Sequence, residues 1–161
     1  MLDYKFSTAF KVWYTIISSI IALLLPIILY YVAGSKPSLS QYVDDSIGNI
    51  IFSCTLILIA HSLTIRKLFT FPAVMLLFIV GFDCNNFETI HNISATLFFL
   101  SMGIIMCLRK ELCIYGILMF LNIPTLLYIG LYWFEIIEIS FIIFYNFHVL
   151  YLLRSRIINN F

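Results

Sequence analysis

Charged residues are scarce in this sequence: 11% of its 161 residues are Asp, Glu, Lys or Arg, whereas 63% are apolar. A soluble domain of this length carries about a quarter charged residues and about half apolar ones, so a water-soluble globular protein is excluded. The formal net charge of only +1 and the apolar excess also exclude a disordered chain and a nucleic-acid-binding protein. The composition therefore predicts an integral membrane protein.

Cysteine pairs and known catalytic motifs are also missing. The four cysteines form no C-x-x-C pair and mostly lie in apolar runs, where a free thiol behaves as a small hydrophobic group. They predict neither a disulfide framework nor a zinc site. The sequence contains no H-E-x-x-H, G-x-S-x-G, Walker loop, haem or dinucleotide motif, so we predict no catalytic residues and no cofactor.

Most of the sequence consists of long apolar runs. At roughly 20 residues per membrane-spanning helix, the chain has room for six or seven spans. The first run is too long for the core of a cleavable signal peptide and no cleavage site follows it. The sequence predicts an all-α, polytopic membrane protein that forms one domain over residues 1–161. Its six predicted spans are about residues 10–33, 45–64, 68–82, 89–108, 112–130 and 133–153.

The few charges predict how the bundle is oriented. If both termini and the links after the second and fourth spans lie on one side, that side receives eight of the nine basic residues: Lys5, Lys11, Arg66, Lys67, Arg109, Lys110, Arg154 and Arg156. By the positive-inside rule, both termini are then cytoplasmic, in the inner (plasma) membrane of the cell. The outer side receives Lys36 and six of the eight acidic residues: Asp44, Asp45, Asp83, Glu88, Glu135 and Glu138.

Two of these acids lie within the apolar sequence of the sixth span. Glu135 and Glu138 are three residues apart, which puts them on one helix face, and this face continues to Tyr145 and His148. Ionisable residues in a span normally face the bundle interior or a watery cavity. We therefore expect Glu138 to point inward with a partner. For Glu135, solvation at the interface beside Trp133 is an equal alternative.

Helices two, four and six all begin on the outer side, so Asp45, His91 and Glu138 lie at comparable depths. Two carboxylates and a histidine can bind a divalent cation, relay protons or hold the amine or head group of a ligand, and their spacing does not choose among these. Asp45 also suits a helix N-cap. His61 and His148 fall near the cytoplasmic ends, where we expect them to reach the interface or bond a neighbouring helix. Whether a metal is bound stays open.

Three short segments resemble a group of small bacterial integral membrane proteins with six predicted spans. They are Ser38–Tyr42, which follows a Ser-x-Ser-x-Tyr pattern, His91–Leu100, which follows His-x-x-x-Ala-x-x-Phe-Phe, and Trp133–Glu135, which follows Trp-x-Glu. That group is in turn more distantly similar to the DRAM/Sfk-type six-helix membrane proteins, which are linked to lipid organisation and autophagy. The chain departs from the pattern at Val43, where the group has a second tyrosine, and at Asp44–Ser46, where it has an Arg-Asp pair.

The resemblance implies that Tyr42, Asp45, His91 and Glu135 converge on the outer side of the membrane. Together with Glu138, they form the predicted ligand-binding set. We expect a non-enzymatic protein with an outward-facing pocket that binds a lipid head group or a small ligand, with membrane lipids or a second copy of the chain as partners.

Two alternatives stay open. An enzyme acting on lipid at the outer leaflet would use a carboxylate and His91 as acid and base. A transporter coupled to protons or cations would use the polar stripe of helix six, which spans much of the membrane depth.

Overall fold

The computed structural model describes the backbone of residues 8–158 and the side chains of residues 10–152. Over this range all regular structure is helical, as the sequence predicts. There are seven α-helices: α1 (Thr8–Ala33), α2 (Ser46–Thr64), α3 (Thr70–Gly81), α4 (Glu88–Cys107), α5 (Cys113–Asn122), α6 (Thr125–Ile129) and α7 (Leu131–Ile158). Two short 3-10 helices, Ser40–Asp44 and Lys67–Phe69, precede α2 and α3.

Four of these helices are long and apolar enough to cross a membrane. They contain the segments Phe10–Ala33, Ser46–Thr64, Glu88–Cys107 and Leu131–Leu152. Two further apolar helices, Lys67–Gly81 and Cys113–Asn122, are shorter. Large apolar side chains are exposed along all of them; a soluble monomer rarely exposes so much contiguous apolar surface, whereas a lipid-facing helix does so by necessity.

The single helix predicted over residues 112–130 is divided into α5 and α6. Pro124 has no backbone N–H and so cannot form the helical hydrogen bond to the Phe120 carbonyl oxygen, which instead accepts from the Ile123 N–H at 3.3 Å. Across the break, the Thr125 hydroxyl donates to the Asn122 carbonyl and to Oδ1 of the same residue, at 2.6 and 2.7 Å. Gly130 then separates α6 from α7 with φ +82, a conformation that glycine adopts without steric cost.

The helices form a closed ring in which consecutive helices pack together. Contacts run from α1 through α2, α3, α4 and α5 to α7, and α7 packs back against α1. Since the connections are short, neighbouring helices are antiparallel. The buried apolar core fills the ring, and Leu29, Ala73 and Met102 are fully excluded from solvent. The orientation argument also used Lys5, Arg154 and Arg156, whose side chains lie outside the described residues.

Helices α4 and α5 are in close contact at Gly116. A Cβ atom at this position would lie 2.5 Å from the Gly103 carbonyl oxygen and 2.5 Å from the Cys107 sulfur. Small residues allow such backbone contact between membrane helices, which associate by close packing rather than by exclusion of water.

Hydrogen bonds between helices add to this packing. His61 Nδ1 lies 2.8 Å from the Tyr14 hydroxyl and joins α2 to α1, while His148 Nδ1 lies 3.2 Å from the Tyr115 hydroxyl and joins α7 to α5. Of the two roles that the sequence left open for these histidines, the structure shows the bond to a neighbouring helix in both cases.

Candidate functional site

A cavity of about 90 Å³ lies inside the ring, with room for a short file of water molecules or part of an alkyl chain. Its middle is apolar, lined by side chains such as Phe52, Leu76, Phe98 and Ile139, and both of its ends are polar. Along α7 the lining runs from Glu135 to Asn146, about 16 Å at 1.5 Å per residue. The cavity therefore follows much of the bundle's length.

Glu135 lies at the end of the cavity that faces the α1–α2 link, hereafter the mouth. Its Oε2 accepts a 2.7 Å hydrogen bond from the backbone N–H of Leu39. Oε1 has no hydrogen-bond partner among the described residues. The carboxylate thus holds the link in place with one oxygen and leaves the other available.

His91 also lines the mouth, near the start of α4, and only 2% of it is exposed. Nδ1 lies 2.8 Å from the carbonyl oxygen of Phe82. Since a carbonyl oxygen only accepts, the proton must be on Nδ1, and this leaves Nε2 as an acceptor in the neutral ring. No described residue bonds Nε2, so His91 offers an acceptor at the mouth.

Ser40 is the third polar residue at the mouth, and it was not among the residues that the sequence predicted to bind a ligand. Its hydroxyl lies 3.0 Å from that of Ser38, in the link that Glu135 anchors. The Cys84 thiol contacts the Ser40 carbonyl oxygen at 3.5 Å. The only feature of the sequence that pointed to Ser40 was its place in the Ser-x-Ser-x-Tyr segment. The sequence does not show that the α1–α2 link lies beside the starts of α4 and α7, which is what brings Ser40 to the mouth.

Tyr42 is fully buried beside the mouth but does not line the cavity. Its hydroxyl donates a 2.7 Å hydrogen bond to the Gly34 carbonyl oxygen, which closes the α1–α2 link on itself. Burial, reinforced by the neighbouring Tyr132 hydroxyl, raises the pKa of Tyr42 to about 12. Its geometry is that of an anchor for the link.

Asp45 is the N-cap of α2. Its Oδ1 accepts from the backbone N–H groups of Ile47 and Gly48, at 3.0 and 2.7 Å. These bonds satisfy two of the N–H groups that a helix start leaves without partners. Asp45 does not line the cavity, so the structure gives it the capping role that the sequence offered as the alternative.

Glu138 points to a different neighbour from Glu135. It is 2% exposed, and its Oε1 accepts a 2.9 Å hydrogen bond from the Asn122 side-chain amide of α5. At 3.6 residues per turn, positions three apart differ by about 60° around the helix. Because α7 packs between α1 and α5, this angle directs Glu135 to the cavity and Glu138 to α5. Glu138 is inward and partnered, but it is separate from the mouth.

Of the remaining acids near this end of the bundle, Asp44 and Asp83 lie before α2 and α4, and Glu88 is the first residue of α4. Asp83 accepts from the backbone N–H groups of Asn85 and Asn86, and its bonds to Asn86 lower the pKa of this carboxyl. Asn85 in turn donates to Asp44. These contacts hold the α3–α4 link against the 3-10 helix that precedes α2.

Among the described residues, no group of three or more His, Cys, Asp or Glu side chains is arranged to hold a metal ion. Of the five residues predicted to bind a ligand, the structure brings Glu135 and His91 to one cavity. It places Tyr42 and Asp45 in the supporting link and Glu138 in the contact with α5.

No family model, curated protein or solved structure matches this chain. The resemblance to DRAM/Sfk-type proteins therefore stays a prediction, and the function is inferred from the residues and their geometry.

Proposed function

We propose that this chain is a six-span protein of the inner (plasma) membrane, with both termini in the cytoplasm, that binds an amphiphile at the outer mouth of its cavity. The ligand is a membrane lipid or a small molecule with a hydrogen-bond donor, such as an amine, in its head group. The observation that carries the proposal is that Glu135 and His91 meet the apolar cavity at the same end.

The six-span topology is supported by the closed ring. Helices α3 and α5 each pack between two neighbours, as a spanning helix of the bundle would. The 3-10 helix Lys67–Phe69 contacts α4, so the basic links after α2 and α4 lie at the same end of the bundle. The positive-inside rule assigns that end to the cytoplasm.

Fusions of alkaline phosphatase, which is active only outside the cytoplasm, test this topology. We expect activity after residues 38, 85 and 130, and none after residues 67, 110 and 161. With only the four long spans, residues 67 and 85 would lie on the same side of the membrane. Equal activity at these two sites, or activity at residue 161, would contradict the proposed arrangement.

The chemistry of the mouth predicts the ligand class. Glu135 Oε1 and His91 Nε2 are both acceptors, and Ser40 can donate or accept. Two acceptors, one of them anionic, favour a protonated amine or a hydroxyl over an anionic group. The apolar cavity behind them suits an alkyl chain, since burial of apolar surface is favourable by about 25 cal/mol per Å².

Binding of dodecylamine tests this assignment, with dodecyl sulfate as the matched anionic amphiphile, on protein in a nonionic detergent. We expect the amine, and not the sulfate, to raise the thermal midpoint in a saturable manner. Glu135→Gln keeps an acceptor for Leu39 N–H but removes the charge, and should weaken amine binding about tenfold or more, since a charge-assisted bond is worth roughly 1.5–3 kcal/mol.

Glu88→Gln is the matched control, because Glu88 is an exposed carboxylate at the same end of the bundle. It should leave the amine affinity within about twofold. If Glu88→Gln weakens binding as much as Glu135→Gln, the amine is held by general surface charge. If only Glu138→Gln abolishes it, the ligand binds beside α5, and the mouth is not the site.

Transport of a proton or cation is the second candidate function. It is favoured by the extent of the cavity, which reaches Ser62 and Asn146 at its other end. Proteoliposomes containing the protein would then show a flux along an imposed gradient, and Glu135→Gln would abolish it. The apolar middle of the cavity favours an alkyl chain over an ion, so we expect no flux above that of empty liposomes.

A further inference from the structure

The carboxyl group of Glu138 is buried between α7 and α5 with a single hydrogen-bond partner. Only 2% of the residue is exposed, and its Oε1 accepts a 2.9 Å hydrogen bond from the side-chain amide of Asn122. Within the part of the chain that the structure describes, Oε2 has no hydrogen-bond partner and the carboxyl group forms no ion pair. An ionised carboxylate at this position would exchange its hydration for one neutral donor.

Asn122 is held in position by the break between α5 and α6. It is 6% exposed, and the Thr125 hydroxyl donates to its Oδ1 at 2.7 Å. This bond engages the acceptor end of the amide, so the NH2 end faces Glu138. The amide can donate to either form of a carboxyl group, but it carries no charge and does not neutralise a carboxylate.

The helices packed against α7 bring no positive charge to Glu138. Helices α5 and α6 contain no Asp, Glu, Lys, Arg or His, and Tyr128 of α6 is 85% exposed. His91 of α4 bonds a backbone carbonyl oxygen, and the two tyrosines at this end of α1 are exposed. Glu135, almost one turn earlier on α7, lines the cavity and has the same sign of charge. Among the described residues, no cation therefore contacts Glu138.

We propose that Glu138 binds a proton at neutral pH, and that this proton fastens residues 122–130 to α7. A buried carboxyl group without a cationic partner is less costly in its neutral form, and this is why ionisable side chains inside membrane spans are rare. A proton needs no space beyond the carboxyl group itself. The site is separate from the cavity and does not depend on the amine ligand.

The segment that this proton fastens has little burial of its own. None of the residues of α6 is buried, and Leu127 and Tyr128 are each 85% exposed. The bond between Asn122 and Glu138 joins the segment to α7 by a buried polar contact. If the proton leaves, water stabilises the carboxylate, and water reaches it by displacing the neighbouring segment. The attachment is therefore strongest in acid and weakens as the pH rises above neutral.

Infrared spectroscopy of the full chain in a nonionic detergent tests the proton directly, because a protonated carboxyl group has a C=O stretch that a carboxylate lacks. At pH 6 an ordinary glutamate, with a pKa of about 4.3, is almost fully ionised. We expect the spectrum of the parent protein at pH 6, minus that of Glu138→Gln, to contain this band. Glu88→Gln removes an exposed carboxylate at the same end of the bundle and should give no such band. Its absence from the Glu138→Gln difference would overturn the proposal.

Hydrogen exchange of the backbone amides of residues 122–130 tests the attachment. Glu138→Gln keeps an acceptor for Asn122 and is neutral at every pH, so it imitates the protonated form. At pH 6 this variant and the parent protein should exchange within about twofold of each other. At pH 9 the segment should exchange about fivefold faster or more in the parent protein, because local opening sets the exchange rate. Comparison at equal pH cancels the intrinsic effect of pH on exchange. Equal exchange at pH 9 would show that the proton does not fasten the segment.

Asn122→Leu provides a second variant, which leaves Glu138 in place. It removes the one described donor to Glu138 at similar side-chain volume, so the ionised form loses its hydrogen bond and the neutral form is favoured further. The carboxyl band at pH 6 should be kept in this variant and should persist to higher pH than in the parent protein. Loss of the band would mean that the apolar surroundings do not hold the proton, and the proposal would fail.

Discussion

The backbone N–H of Leu39 donates a 2.7 Å hydrogen bond to Oε2 of Glu135, across 96 residues of sequence. This contact brings the link between α1 and α2 onto the start of α7. It makes the Glu135 carboxylate both a structural acceptor for the link and a polar group of the cavity mouth.

Removing this acceptor should destabilise the protein. Glu135→Leu leaves the buried Leu39 N–H without a partner, which costs roughly 1–3 kcal/mol. Glu135→Gln retains an amide oxygen for the same bond and should cost about 1 kcal/mol or less. Thermal or denaturant unfolding in detergent measures both free energies. If the two variants were equally destabilised, the Leu39 bond would contribute nothing measurable.

Tyr42→Phe removes the hydrogen bond to Gly34 and should lower the free energy of unfolding by about 1 kcal/mol near neutral pH. The pKa of Tyr42 is raised from 10.0 to about 12 in the folded protein, so folding favours the neutral phenol. The contribution of the neutral Tyr42 hydroxyl to the free energy of unfolding is therefore fully present below pH 10 and is lost as the pH rises from 10 towards 12.

Unfolding of the parent protein and of Tyr42→Phe, measured side by side from pH 8 to pH 12, tests this dependence. The other tyrosines are common to both proteins, so the difference between the two free energies should shrink above pH 10. A difference that grew with pH would mean that the Tyr42 phenolate is the stabilised form.

Asp45→Ala should lower the free energy of unfolding by about 1 kcal/mol because α2 loses its N-cap. Asp45→Asn keeps a capping oxygen and should stay within a few tenths of a kcal/mol of the parent protein. Neither change should alter the affinity for dodecylamine, because Asp45 does not line the cavity. A loss of amine affinity in Asp45→Asn, with stability unchanged, would show that the carboxylate belongs to the binding site.

Gly116→Ala should destabilise the contact between α4 and α5. The added methyl group would lie 2.5 Å from the Gly103 carbonyl oxygen, and overpacking of this kind costs about 1–3 kcal/mol. Gly81→Ala is the matched control, because nothing lies within 4 Å of a Cβ atom at that position. Its unfolding free energy should be unchanged or slightly higher, since alanine favours the helix more than glycine does. Equal losses in both variants would exclude close packing as the cause.

Local features of the structure were predictable where neighbouring residues determine them. The N-cap at Asp45 follows from the residue type at a helix start, and the bounds of α1, α2 and α4 follow within one or two residues from the lengths of their apolar runs. The break near Pro124 has a local cause too, but a proline can lie within a continuous membrane helix, as Pro26 does in α1. Sequence alone could not tell these two cases apart.

The composition and the lengths of the apolar runs by themselves predicted an all-helical chain that is apolar enough for a membrane, because both depend on single residues and their immediate neighbours. The scarcity of charge also showed which few polar side chains needed partners. Only the tertiary structure shows which residues form hydrogen bonds with these side chains. The order of helices around α7 separates Glu135 from Glu138 and joins Glu135 to Leu39, because a rotation of about 60° around a helix directs a side chain to a different neighbour.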